Sequence, residues 1–192
     1  EIRKLEKIFS RGAKPYSRHI GFRETELNPI IINLINKVKA SKYEYIEYGS
    51  PDWGPINSFT KSKKCRCLSI IPQSSIFWDC RNNSKDSYIS RKIIKETSKE
   101  LEKIDFTNSV LGLFLVLDHL EDPVNFLKSY LEKGISSIVI LLEKIEIKRG
   151  LPIQHLTAWN EDSLKYLADQ LSMNITLPKL KSNEYISAII TK

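Results

Sequence analysis

The spacing of apolar and polar residues divides the chain into short, alternating element types. Between Glu24 and Ser41, Leu27, Ile31, Leu34, Ile35 and Val38 recur at the spacing of one helical face. Pro29 predicts that the regular helix starts there, because proline suits a first helical position. Tyr43–Tyr48 (YEYIEY) alternates large and acidic residues, which predicts a strand; it stops at the turn-rich loop GSPDWGP, residues 49–55. A second strand is expected over Cys65–Ile71, closed by Pro72, and a third over Ser75–Trp78. Tyr88–Lys103 reads as an amphipathic helix with Ile89, Ile93, Ile94 and Leu101 on its apolar side.

The second half is more regular. Val110–Leu117 is an unbroken apolar run, expected as a central strand buried on both faces. Asp122-Pro123 supplies an N-cap and a first-position proline for a helix whose inner face carries Phe126, Leu127, Tyr130 and Leu131. Gly134 ends that helix, and Ser136–Leu142 is the next parallel strand. Asn160 caps a further helix over Glu161–Met173. Ile175–Leu177 and Tyr185–Thr191 follow too closely for a crossover and so pair as a hairpin. Strand and helix in alternation imply an α/β fold: a mostly parallel sheet with helices on both faces, closed by an antiparallel pair. Residues 1–22, with Gly12, Pro15 and Gly21, read as a basic extension, and 23–192 as one domain. No internal repeat or low-complexity segment interrupts it.

Composition narrows the class. Hydrophobic residues at 41% and charged residues at 28% are those of a globular domain. No apolar run reaches the roughly 20 residues of a membrane-spanning helix, and the charged N-terminus has no signal-peptide core. Without an initiator Met, the chain reads as a piece of something longer. The net charge of +7 is uneven: residues 1–100 carry 20 basic and 11 acidic groups, residues 101–192 carry 10 and 12. A basic half suits a phosphorylated small molecule or a nucleic acid, or is simply a solvated lysine-rich face. Cys65, Cys67 and Cys80 do not make a disulfide scaffold, and the single-residue gap of Cys65-x-Cys67 chelates zinc poorly. No metal site is expected, and a reducing cytoplasm is the natural compartment.

Three stretches carry candidate chemistry. Glu47-Tyr48-Gly49-Ser50, with Gly54 beyond, puts an acid and a glycine turn at the carboxyl end of a strand, where open α/β sheets bind ligands; an ordinary turn would use the same residues. The run LFLVLDHLEDP delivers Asp118 and His119 to the same edge, although His119 could equally satisfy a loop carbonyl. Gln154-His155-Leu156-Thr157-Ala158-Trp159-Asn160 places His155 near a loop apex with Trp159 as a wall, or as a helix staple with His155 exposed.

In order and spacing these stretches resemble the class I S-adenosylmethionine-dependent methyltransferases, in particular the small-molecule branch that includes sugar C-methyltransferases. The resemblance rests on Glu47, Gly49 and Gly54; on Leu117-Asp118-His119-Leu120-Glu121-Asp122-Pro123; and on Gln154–Leu167, and it covers about Tyr43 to the C-terminus. It implies a Rossmann-like sheet and S-adenosylmethionine as cofactor. It further implies a cofactor site built from Glu47, Gly49, Ser50, Gly54, Gln73, Asp118 and His119, with His155 and then His119 as candidate bases. The acceptor it implies is a small, anionic metabolite such as a sugar nucleotide, with nucleic acid ranked behind it. The sequence departs from the family in two places. Ser50, Pro51 and Trp53 fill a loop that is richer in glycine elsewhere, and Ile71-Pro72-Gln73-Ser74 lacks the acid that binds ribose, leaving Gln73, Ser74 or Asp79 to take its place. Those departures keep a non-catalytic interaction domain of the same fold as the alternative.

Overall fold

The computed structural model describes residues 29–38, 44–49, 66–72, 91–144 and 156–192. Helix α1 spans 29–37 and starts on Pro29, as its fixed φ favours. The strands are β1 (Glu44–Tyr48), β2 (Arg66–Ile71), β3 (Arg91–Lys95), β4 (Val110–Phe114), β5 (Ser137–Glu143), β6 (Asn174–Thr176) and β7 (Tyr185–Thr191). Helix α2 (Pro123–Glu132) connects β4 to β5, and α3 (Glu161–Gln170) precedes β6. The described strands form one sheet in the order β3-β2-β1-β4-β5-β7-β6. β1 to β5 pair in parallel, and β7 runs antiparallel to both β5 and β6. This is the Rossmann-like, mostly parallel sheet with a C-terminal antiparallel hairpin that the sequence pattern predicts.

Strand alternation sorts the core into two layers. Tyr45, Cys67, Val110, Phe114, Val139, Leu141, Tyr185 and Ile189 lie on one face, where Ile31, Leu34, Ile35 and Val38 of the α1 segment pack against them. Ile46, Tyr48, Leu68, Ile70, Leu111, Leu113, Ile138, Ile140, Ile186 and Ile190 form the other face, covered by Leu127 and Tyr130 of α2 and Leu164, Leu167 and Ala168 of α3. Helices therefore sit on both faces. Two-sided cover explains why β4 and β5 need continuous apolar sequence: all five β4 residues are buried. Gly112 in β4 leaves room for the Tyr45 hydroxyl and the Phe114 ring, which a Cβ there would meet.

The helix ends follow the sequence signals. Asp122 Oδ1 accepts from the Asn125 amide at 3.0 Å, with Pro123 at the first turn of α2. At α3 a capping box closes: the Ser163 amide donates to Asn160 Oδ1 at 2.8 Å, and the Asn160 amide donates to Ser163 Oγ at 2.8 Å.

Three expectations need correction. The helix expected over Tyr88–Lys103 is not found among its described residues: Arg91–Lys95 forms β3, parallel to β2, and Leu101–Lys103 forms a 3₁₀ turn. The apolar residues of that window fit both periods, and the β-branched pair Ile93-Ile94 sides with the strand once β2 offers a ladder. The apolar run Val110–Leu117 is strand only to Phe114, because Leu115 turns to φ +57° and Leu117–His119 winds into a 3₁₀ turn. Helix α3 stops at Gln170 instead of Met173: Ser172 has φ +54°, and the Met173 amide bonds back to the Ala168 carbonyl at 3.0 Å. The expected strand Ser75–Trp78 and the extension 1–22 lie outside the described residues.

Candidate functional site

The strand order itself creates a crevice. From β1 the chain goes outward to β2 and β3, then returns to place β4 on the other side of β1. Where neighbouring connections leave in opposite directions, the carboxyl ends of the two strands part and leave room for a ligand. Here that point lies between the ends of β1 and β4, which pair with Glu47 opposite Gly112.

Glu47, Gly49, Asp118 and His119 are brought to this edge. Glu47 is fully buried one residue before the end of β1. Gly49 follows the strand with φ +67°, its amide bonded to the Ile70 carbonyl of β2 at 3.0 Å. A Cβ at Gly49 would stand 3.1 Å from both Val116 methyls and 3.7 Å from the Pro72 ring. Glycine is thus required there twice, by the left-handed backbone and by the closeness of the chain after β4.

That second chain segment is strained in its own right. Leu115 holds φ +57°, a conformation that costs an L-residue about 1–2 kcal/mol. Its amide donates to the Leu141 carbonyl of β5 at 2.8 Å, which holds the kink in place. The kink turns Val116 toward Gly49 and starts the 3₁₀ turn, closed by the His119 amide on the Val116 carbonyl at 2.9 Å. Asp118 is 3% exposed. The neighbouring His119 side chain is 38% exposed, with Nε2 3.9 Å from Asp118 Oδ2. A buried carboxyl group with a half-exposed imidazole beside it offers a ligand hydrogen-bonding partners at this edge.

The third stretch reaches the same turn. The Leu156 and Thr157 amides both donate to the Asp118 carbonyl, at 2.8 and 3.3 Å. Trp159 is half-buried against the α2–α3 core layer, and its indole Nε1 donates to Thr157 Oγ1 at 2.8 Å. Ser50, Gly54, Gln73 and His155 lie outside the described residues; Pro72, the residue before Gln73, touches the Gly49 environment.

One acid at this edge escapes a reading of the sequence. Glu96 directly follows β3 and accepts from the Tyr48 hydroxyl at 2.9 Å. Reading the segment as a helix hides it, since only the end of a strand brings Glu96 to the carboxyl edge. Burial first, then the Glu96 charge, hold the Tyr48 phenol far above its ordinary range, so it stays a donor. Among the described residues, no group of three or more His, Cys, Asp or Glu side chains is placed to hold a metal ion, and no helix is long and apolar enough to cross a membrane.

No protein-family model matches the chain, and no curated protein matches it by sequence. Solved structures do match its fold. An S-adenosylmethionine-dependent methyltransferase from Archaeoglobus fulgidus superposes with a TM-score of 0.62 at 13% identity, over 88% of this chain and 94% of that one. The magnesium protoporphyrin IX methyltransferase of Synechocystis PCC 6803, solved with bound SAH, gives 0.64 at 7% identity over 100% of each chain. The plantazolicin methyltransferase BpumL, solved with a monoazolic desmethylPZN analogue and SAH, gives 0.62 at 11% identity over 99% of this chain and 89% of that one.

Proposed function

We propose that this chain, which shares its fold with S-adenosylmethionine-dependent methyltransferases, is itself such an enzyme of the class I type, and that it binds S-adenosylmethionine across the β1–β4 edge and methylates a small, anionic metabolite such as a sugar nucleotide. The observation that carries this reading is Gly49, whose positive φ turns the chain at the carboxyl end of β1 where the sheet opens, and whose missing Cβ lets the chain after β4 close against it. The donor set suits the cofactor. Buried carboxylates at Glu47 and Asp118 accept hydrogen bonds from hydroxyl or ammonium groups, and Ser50, Gly54, Gln73 and His119 complete the binding set.

When bound, S-adenosylmethionine supplies an electrophilic methyl carbon on a sulfonium. The protein's share of the work is alignment, because an in-line displacement gains most from holding the two reactants in register. His155 takes the proton from an acceptor that must lose one, and His119 is the second candidate. His155 is one covalent step from Leu156, which is bonded to Asp118, and this supports assigning the loop to the acceptor side. The basic first half of the chain favours an anionic acceptor by long-range attraction.

Isothermal titration with S-adenosylmethionine tests the reading. Saturable binding that Gly49→Val abolishes is the expected result. No heat at millimolar cofactor would leave the fold in place as a non-catalytic interaction domain.

A further inference from the structure

Thr157 makes two contacts that meet at the crevice. Its amide, with that of Leu156, donates to the main-chain carbonyl of Asp118. Its hydroxyl oxygen accepts from the Trp159 indole at 2.8 Å. The segment 156–159 is therefore held at one end by the turn after β4, and at the other by a half-buried ring seated on the core layer. Beyond Trp159 the chain enters the capping box of α3, so the far end is anchored as well. Asp118 is the junction: its carboxyl side chain is buried at the crevice while its carbonyl carries the strap.

We propose that Thr157 is a positioning residue, which holds the strap 156–159 against the Asp118 turn and so builds the acceptor side of the crevice in register with the cofactor acid. This rests on the methyltransferase reading above. A ligand that grips the Asp118 carboxylate stiffens the same turn that receives the strap, so cofactor binding and strap docking reinforce each other. Losing the Thr157 hydroxyl leaves the half-buried Trp159 N–H without its acceptor and releases the ring that anchors the strap.

The test is hydrogen exchange of the Leu156 and Thr157 amides in the wild type, Thr157→Val and Thr157→Ser, each with and without S-adenosylmethionine. Thr157→Val keeps the shape and removes the hydroxyl; it is expected to speed exchange at the Leu156 amide and at its own by roughly tenfold, the size of one lost hydrogen bond. Thr157→Ser should restore slow exchange. Cofactor should slow exchange further in the wild type and the serine variant, and have no such effect in the valine variant. Wild-type exchange rates in Thr157→Val would overturn the clamp. Cofactor binding to the wild type with no added protection would overturn the positioning role alone. Absence of cofactor binding to the wild type would remove the methyltransferase reading and the role together.

Discussion

Replacing Gly49 by alanine is the sharpest perturbation of the β1–β4 edge. Two costs add. An L-residue at φ +67° loses about 1–2 kcal/mol relative to the right-handed region. The new Cβ stands 3.1 Å from Val116 Cγ1 and Cγ2, so a methyl group must give by a few tenths of an ångström. Crowding of this kind in a packed region costs about 1–3 kcal/mol. The sum, about 2–5 kcal/mol, should lower the melting temperature of a chain this size by roughly 4–20 °C. The two costs can be separated with Val116→Ala, which removes the methyls but leaves the backbone angle. If crowding dominates, the double variant loses less than the two single ones together, by a coupling of roughly 0.5–3 kcal/mol; if backbone strain dominates, the losses simply add. Calorimetric or fluorescence melts of the four proteins measure this directly. A Gly49→Ala protein that melts within about 1 °C of the wild type would refute the account of why glycine stands there.

The other predictions address separate links. Asn160→Ala removes the side-chain half of the α3 capping box, the acceptor for the Ser163 amide, and should cost about 1 kcal/mol in chemical denaturation, with no change in the slope of the unfolding curve; an unchanged midpoint would show that cap to be idle. Tyr48 and Tyr130 both have phenols raised far above 10.0, by burial first and by Glu96 second. The sign follows: the folded protein binds protons that the unfolded chain releases, so stability is complete below pH 10 and falls as pH rises beyond it. Tyr48→Phe should make that alkaline fall shallower while costing about 1 kcal/mol at neutral pH through the lost bond to Glu96; an equally steep fall would count against burial as the cause. His155→Ala should lower turnover and leave S-adenosylmethionine affinity nearly intact, as steady-state rates beside calorimetric titration would show, and a parallel loss of affinity would reassign the residue to the cofactor side.

Local signals were enough for much of this molecule because they act within a few residues. The caps at Asp122 and Asn160, the proline at 29 and the apolar run through β5 each state their own structure, since the interaction responsible is closed locally. Glu47, Gly49, Asp118 and His119 were legible for a related reason: an acid or glycine right after an apolar run marks a strand's carboxyl end, and in a parallel sheet those ends share one edge. The limits appear where partners are distant in sequence. Ile93 and Ile94 fit a helix or a strand by spacing alone, and only the ladder offered by β2 decides, which also moves Glu96 to the edge beside Tyr48. The apolar run from Val110 would continue as strand beyond Phe114, but the Leu115 amide bonds across to Leu141 in a left-handed turn. That kink, invisible in a row of leucines and valines, sets Val116 against Gly49 and buries Asp118. Sequence alone thus determined the elements whose signals close locally and the edge that bears Glu47, Gly49, Asp118 and His119. The tertiary structure decided how the ends of β1 and β4 meet, because contacts between distant segments can hold a strained backbone that no local preference would choose.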